Sequence, residues 1–218
     1  MRYDFREKAV EGGLAALALL SLAVLAGIVF YLFREGLPVF ASTGFLDFVF
    51  GTDWYPVGDQ PDFEIGSLIA GSLAVTFLAS LFAVPLGLMT AAYLSEVAAN
   101  TTRRIIKPFI ELLAALPSVV IGFIGMVLVA PWLQNTLGIA TGLNLFNAAL
   151  MLAFMAVPTI CSIAEDALHA VPRSLKDASL ALGATPWETL KNVTFPYALS
   201  GVGTAVMLGM SRALGETM

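Results

Sequence analysis

The sequence predicts an all-α protein embedded in a membrane, with five spanning helices present in 218 residues. Composition is the first reason: 58% of residues are hydrophobic and 12% charged, with a mean hydropathy of +0.86. Soluble domains carry roughly 45–50% apolar and about 25% charged residues, so lipid is the main solvent for this chain. The second reason is a recurrence of uncharged runs close to the ~20 residues that cross a ~30 Å hydrocarbon core. The third is that lysine and arginine collect in alternate connectors, as expected of a chain threading back and forth through a bilayer.

Taken in order, the first span is Gly12–Phe33, 22 residues without a charge. Arg2, Arg6 and Lys8 precede it, as in a signal peptide, but the run is longer than a signal's apolar core and no clear cleavage site follows. The prediction is a helix that stays. The second span lies within Ile65–Ser95, interrupted by Pro85 and Gly87. The third covers Leu112–Leu133 and includes Pro117, Gly122 and Gly125. The fourth, Asn147–Ala164, contains Pro158, and the fifth begins near Tyr197 and runs to Met218. Proline and glycine inside spans are tolerated where neighbouring helices satisfy the freed backbone groups, which predicts a packed bundle with kinks.

Orientation follows from the basic residues. The N-terminal segment has three; residues 35–64 carry six acids and no base, with Arg34 at the membrane edge. The next connector has Arg103, Arg104 and Lys107, the loop 134–146 has no charge, and 165–196 has Arg173, Lys176 and Lys191. This alternation places the N-terminus and segment 165–196 in the cytoplasm and the acidic loop outside. Trp54, Tyr55 and Pro56 in that loop suit either a docking surface or a solvated connector with aromatics at the interface. Cys161 and His169 are the chain's one cysteine and one histidine, which excludes a disulfide framework and a zinc cluster. No cofactor and no nucleic-acid partner is implied.

Segment 165–196 is the most informative. Its 32 residues predict two short helices. The first runs from about Ser174 to Leu182, with Asp177 in an early turn, where negative charge favours the helix dipole. Gly183 stands where a C-cap glycine is expected. Thr185-Pro186-Trp187-Glu188 then reads as a capping box with proline at the first helical position, and the second helix is expected to stop before Pro196. Small residues (Ala178, Ser179, Ala181, Gly183, Ala184) allow close approach by a partner, although an amphipathic helix in the interface would account for the apolar positions equally well. Asp177-Ala178-Ser179, then Gly183, then Val193-Thr194-Phe195-Pro196 resembles the EAA loop of ABC importer permeases. That pattern is Glu-Ala-Ala, three residues, Gly, nine residues, Ile-x-Leu-Pro; the spacing fits and the four replacements are mild. The resemblance implies a type I ABC importer transmembrane domain in which Asp177, Ala178, Ser179 and Gly183 belong to a coupling helix seated in a cytoplasmic ATPase.

Arg212 lies 16 residues past Pro196, about 24 Å along a helix, and so inside the bilayer. A charge near the middle of a span costs about 2.5–3.5 kcal/mol on insertion scales and usually faces a bundle interior or a pathway. Glu216 follows four residues on, where one helical face would hold both. The two readings of this pair stay open: a self-neutralising pair that tightens the bundle, or an anion pathway in which arginine's fork suits phosphate oxygens. In the second reading, the Glu216 carboxylate accepts from the proton that phosphate retains near neutral pH and sulfate lacks.

The string Gly209-Met210-Ser211-Arg212-Ala213-Leu214-Gly215-Glu216-Thr217-Met218 resembles phosphate ABC transporter permeases, and Thr217-Met218, Trp54-Tyr55-Pro56 with Ile65-Gly66, and Leu116-Pro117-Ser118-Val119-Val120 resemble the PstC type. The resemblance implies that Arg212 and Glu216 serve phosphate passage. It implies as partners a second permease (PstA type), two ATPase subunits (PstB type) and an external phosphate-binding protein (PstS type), in a prokaryotic inner or plasma membrane. Residues 1–64 would form the N-terminal tail, first span and external loop, and residues 65–218 the permease core. The family pattern continues for roughly one further span, so a sixth helix is expected to be missing here.

No Gly-x-x-x-x-Gly-Lys loop occurs, so ATP hydrolysis is expected of the partners, not of this chain. Two competing functions stand beside phosphate import. One is an ABC permease for sulfate, molybdate or an amino acid. The other is a non-transporting scaffold or membrane enzyme, for which Glu165, Asp166 and His169 are the one close polar set; these read more simply as a solvated helix end.

Overall fold

A computed structural model describes residues 2–57 and 61–216, with the side chains of 2–6, 9, 41 and 42 outside the description. Two compact units divide it, Met1–Ile69 and Ala70–Met218. Thr217 and Met218, which end the resembling string, lie outside the described residues, as does Asp59 of the acidic loop.

In the first unit, α1 (Arg2–Gly36) is one helix. Its apolar side chains from Val10 to Phe33 are exposed on every face, the pattern of a helix whose surroundings are hydrocarbon. Two short helices follow, α2 (Val39–Thr43) and α3 (Phe45–Phe50). The acidic connector is not featureless: β1 (Trp54–Tyr55) pairs antiparallel with β2 (Asp62–Phe63), Trp54 opposite Phe63 with their rings edge to face at 6.2 Å. Glu64 accepts the Asp53 amide at 2.8 Å and closes the hairpin's base.

The second unit is built around one helix. From α4 (Gly66–Ala92) the chain passes through a wide π turn, Tyr93–Val97, then α5 (Asn100–Ala114) and α6 (Ser118–Ile124). A second π turn, Gly125–Val129, leads to α7 (Ala130–Leu137), and α8 (Leu145–His169) follows. The segment between the fourth and fifth spans supplies α9 (Arg173–Ala181), α10 (Pro186–Thr189), a π turn Leu190–Thr194 and α11 (Phe195–Tyr197), and α12 (Leu199–Leu214) is the last described helix. Helix α8 forms the centre, with α4, α5 and α12 against it. The buried side chains there are mostly small: Ala79, Ala83, Ala149, Ala153 and Ala156 around Ile160, and Ala91, Cys161, Ala164 and Ala205 with Leu94, Leu168 and Val202. In lipid, helices gain little from hiding apolar surface from one another, and close backbone approach through small residues becomes the means of association. Ile160 shows the tightness. A Cβ at Gly87 of α4 would lie 2.8 Å from its Cγ2, and one at Gly209 of α12 would lie 2.3 Å from its Cγ1.

Among the described residues, four stretches are long and apolar enough to cross a membrane: Val10–Gly36, Gly66–Val97, Ser118–Leu137 and Leu145–His169. A fifth arises if Pro186–Tyr197 and Leu199–Leu214, bent by 75°, are counted together. The first two spans agree with the sequence reading, and three others differ in extent. The third does not start at Leu112: α5 stops at Ala114, Pro117 is extended (φ −60°, ψ 132°), and the crossing helix begins at Ser118. Proline bars Leu116 from helical backbone, so Pro117 opens the span instead of sitting within it. The fourth runs five residues past Ala164, because the acids Glu165 and Asp166 are neutralised by bases of α5. The fifth begins after a bend, and Pro196 falls inside the loop's last helical turn instead of after it. The π turn directly before it widens the helix where the proline ring has to fit.

Candidate functional site

The loop between the last two spans is held by local bonds that its residue types dictate. The Thr185 hydroxyl accepts from the Glu188 amide at 3.3 Å, while the Glu188 carboxylate accepts from the Thr185 amide and hydroxyl at 2.8 Å each. The Thr185 amide bond, first, and its hydroxyl bond hold the Glu188 carboxyl below the usual carboxylate range. At the end of α9, Gly183 takes φ +87°. Its amide bonds to Leu180 O at 2.9 Å and that of Ala184 to Ser179 O at 3.3 Å, the paired bonds that close a helix over a left-handed residue. Ser179 and Thr189 share a hydroxyl bond at 3.0 Å across the turn, so the two short helices are stitched together.

Among the described residues, nothing covers the outer side of this helix pair. Asp177 and Ala178 are exposed, and so are Leu175, Leu180, Trp187 and, at 90%, Leu182. Leu175, Leu180, Leu182 and Trp187 thus stand uncovered on a turn closed by its own hydrogen bonds. Four predicted coupling residues therefore come together on α9 and its cap, with Ser179 turned towards the second helix and Asp177 outward.

Arg212 projects from the last turn of α12 and is half-buried. It donates to Thr159 Oγ1 of α8 at 3.1 Å and to Ala114 O, the last carbonyl of α5, at 3.0 Å. Helix ends leave such carbonyls without an intrahelical partner, so the guanidinium joins α12, α8 and α5. Glu216 does not share a helical face with it: α12 ends at Leu214, Gly215 caps it, and Glu216 follows beyond the helix. Beside these groups an apolar groove of about 490 Å³ is lined by Leu73, Phe77, Met207, Met210 and Leu214.

A polar cluster that the sequence reading dispersed sits where α5 meets the end of α8. Glu165, 1% exposed, is paired with Arg103 and, at 2.6 Å, with Lys107. Lys107 also binds Asp166 at 2.6 Å, and Arg103 donates to the His169 ring at 3.0 Å. Burial depresses the Lys107 ammonium, but its bonds to Asp166 and Glu165 outweigh this and leave it above its usual value. Glu165 is thus buried in an ion network, whereas Asp166 and His169, both exposed, do lie at a solvated helix end. One signal was available: Arg103 and Lys107 stand four apart, on one face of an amphipathic helix, together with Ile106 and Ile110, which pack on the core.

A multi-span bundle of closely packed helices, with an exposed stitched turn between its last two spans and a half-buried arginine in the final one, is the construction of a membrane transport component. The family model for the binding-protein-dependent transport system inner membrane component matches residues 83–218. The chain belongs to that family. It is 39% identical over 205 residues to the probable ABC transporter permease protein YqgH of Bacillus subtilis (strain 168), covering 93% of this chain and 66% of that protein. It is 35% identical over 222 residues to the phosphate transport system permease protein PstC of Mesorhizobium japonicum, with 93% and 67% covered, and 35% identical to PstC of Pasteurella multocida, with 92% and 66% covered. The chain thus spans about two thirds of the length of these relatives. Among solved structures, a chain of the MetNI methionine ABC transporter in inward-facing conformations superposes with a TM-score of 0.59 at 25% identity, over 69% of this chain and 72% of that one.

Proposed function

We propose that this chain is a permease subunit of an ATP-driven importer of inorganic phosphate. In this reading residues 65–218 form its permease core, the N-terminus faces the cytoplasm, and the turn centred on Gly183 seats in an ATPase subunit. The observation that carries the reading is that turn: two helices locked by a capping box and a left-handed glycine, presenting Leu180, Leu182 and Trp187 uncovered. A flexible linker would have no use for such stitching. The second permease (PstA type), two ATPases (PstB type) and an external phosphate-binding protein (PstS type) complete the assembly, and ATP hydrolysis is theirs.

Phosphate is supported as the substrate by the names of the PstC relatives and by the arginine at 212, which donates to the oxygens of Thr159 and Ala114 and presents a planar fork suited to phosphate. In this reading Arg212 with Glu216 forms the proposed passage. Import of another substrate is the second reading, favoured by the likeness to the MetNI methionine transporter.

The test is uptake by the assembled complex in proteoliposomes loaded with ATP. Phosphate accumulates and sulfate and methionine do not; accumulation of either in place of phosphate refutes the substrate. Arg212→Ala abolishes uptake while the ATPase subunits still copurify. Survival of uptake with unchanged selectivity makes the arginine purely structural.

A further inference from the structure

We infer that Glu96 and Lys176 form the tie that carries movement of the cytoplasmic turn into the second span. This rests on the proposed seating of α9 in an ATPase and goes beyond it, because it says how the bundle feels that seat. Lys176 Nζ donates to Glu96 Oε1 at 2.5 Å and lies 3.4 Å from Leu168 O. Both side chains are mostly covered, at 17% and 18% exposure. Three segments meet at this ammonium: α9, the carboxyl end of α8 just before it, and the last turn of the second span, 80 residues earlier.

The local structure explains why Glu96 is there. The second span ends in a π turn, Tyr93–Val97, which has one residue more than an α turn and so re-aims every side chain after it. Leu94 of that turn is buried against Ala91, Cys161, Ala164 and Leu168, which anchors the turn on α8. Glu96 then faces α9, and its carboxylate also accepts from Ser95 Oγ at 3.1 Å. On α9, Lys176 points inward while its neighbour Asp177 is exposed. One residue of this helix therefore faces the proposed partner and the next grips the span.

Stability alone is a weak reason for such a pair, since exposed ion pairs contribute little and half-covered ones lose much of their attraction to desolvation. What an ion pair adds over apolar packing is direction: it resists separation along one line. A pull on α9 is delivered to Glu96, and through the π turn to α4. The neighbouring cluster of Arg103, Lys107, Glu165 and Asp166 ties α5 to α8 without a bond to α9 among the described residues.

The experiment uses the complete complex in proteoliposomes and reads phosphate taken up per ATP hydrolysed for Glu96→Lys, Lys176→Glu, the double exchange, and Lys176→Gln. Each single change should lower that ratio about fivefold or more, from a coupling of the size expected for directly bonded residues. The exchange should recover about half, because a glutamate at 176 faces the Leu168 carbonyl, which the lysine had satisfied. An unchanged ratio in the single variants overturns the inference. So does a fall in uptake and hydrolysis in equal proportion that the exchange fails to reverse, since that is a merely structural loss. If the charge-reversed chains do not assemble, Lys176→Gln, which removes the charge and keeps a polar side chain one atom shorter, is judged by the same ratio. Failure of the unaltered complex to retain an ATPase would instead sink the seating of α9, and is read separately by copurification.

Discussion

Replacing Gly183 separates backbone from side chain at the turn more cleanly than any other change. Its φ is +87°, and a Cβ built there meets no atom within 4 Å. Whatever a substitution costs, it does not come from a clash inside the chain. Left-handed backbone costs an ordinary L-residue roughly 1–2 kcal/mol, more for a β-branched one, and asparagine much less. At about 1.4 kcal/mol per factor of ten, Gly183→Val should depopulate the closed turn by roughly five- to thirtyfold relative to its open forms, and Gly183→Asn should leave it nearly intact. In proteoliposomes holding the full complex, the valine variant should insert and copurify with the second permease, yet move several times less phosphate per ATP hydrolysed. The asparagine variant should behave close to the unaltered protein. Equal damage from both would refute the argument from φ and make the partner's need for an empty surface the reason for glycine. Normal coupling in the valine variant would refute the role of the turn altogether.

Two further perturbations follow from packing. Glu165→Gln leaves Arg103 and Lys107 without their shared buried carboxylate. Removing one partner of a buried pair costs about 3–5 kcal/mol, and the partly open bases place this case near the lower figure; thermal unfolding in detergent should show a clear fall in midpoint, and none would mean that Asp166 takes over. Because the Lys107 pKa is raised above 10.5, its contribution is complete below that pH and fades only as pH climbs through the folded value, so the same midpoint should be flat from about pH 7 to 9. Gly209→Ala brings a methyl to 2.3 Å from Ile160 Cγ1, an overpacking worth about 1–3 kcal/mol. Adding Ile160→Ala should return part of that loss, and a strictly additive double variant would show that the two sites do not touch.

The parts of this protein legible in sequence are those where one residue type does one local thing. Thr185 and Glu188 announce a capping box and form one. Gly183 announces a left-handed cap and takes φ +87°. The apolar runs give the spans, because a bilayer demands backbone bonding within the segment whatever the neighbours are. Boundaries slip where a neighbour changes the local answer. Span four should stop before Glu165, since acids are costly in lipid, yet it continues to His169 because α5, 58 residues earlier, brings Lys107 to that carboxylate. Residues 100–114 look like a charged connector, yet they form a helix that turns Arg103, Lys107, Ile106 and Ile110 towards α8.

The proposed site divides along the same line. The exposed face of α9, here proposed to meet a partner, rests on small residues and spacing, for a surface left open by its own chain depends on local sequence alone. The inward face could not. Lys176 is one of three basic residues in 165–196, and nothing local distinguishes it from Arg173 or Lys191. Its meaning comes from Glu96, 80 residues away, presented by a π turn that no periodicity reveals. Arg212 lies between these cases: position marked it as a costly charge in a span, but Thr159 and Ala114 as its partners required the break at Pro117 that leaves a carbonyl free. A residue in this bundle is thus predictable to the extent that its constraint is written within a turn or two of itself. The groups that join one helix to another, through which any motion must pass, are the ones that only the assembled bundle identifies.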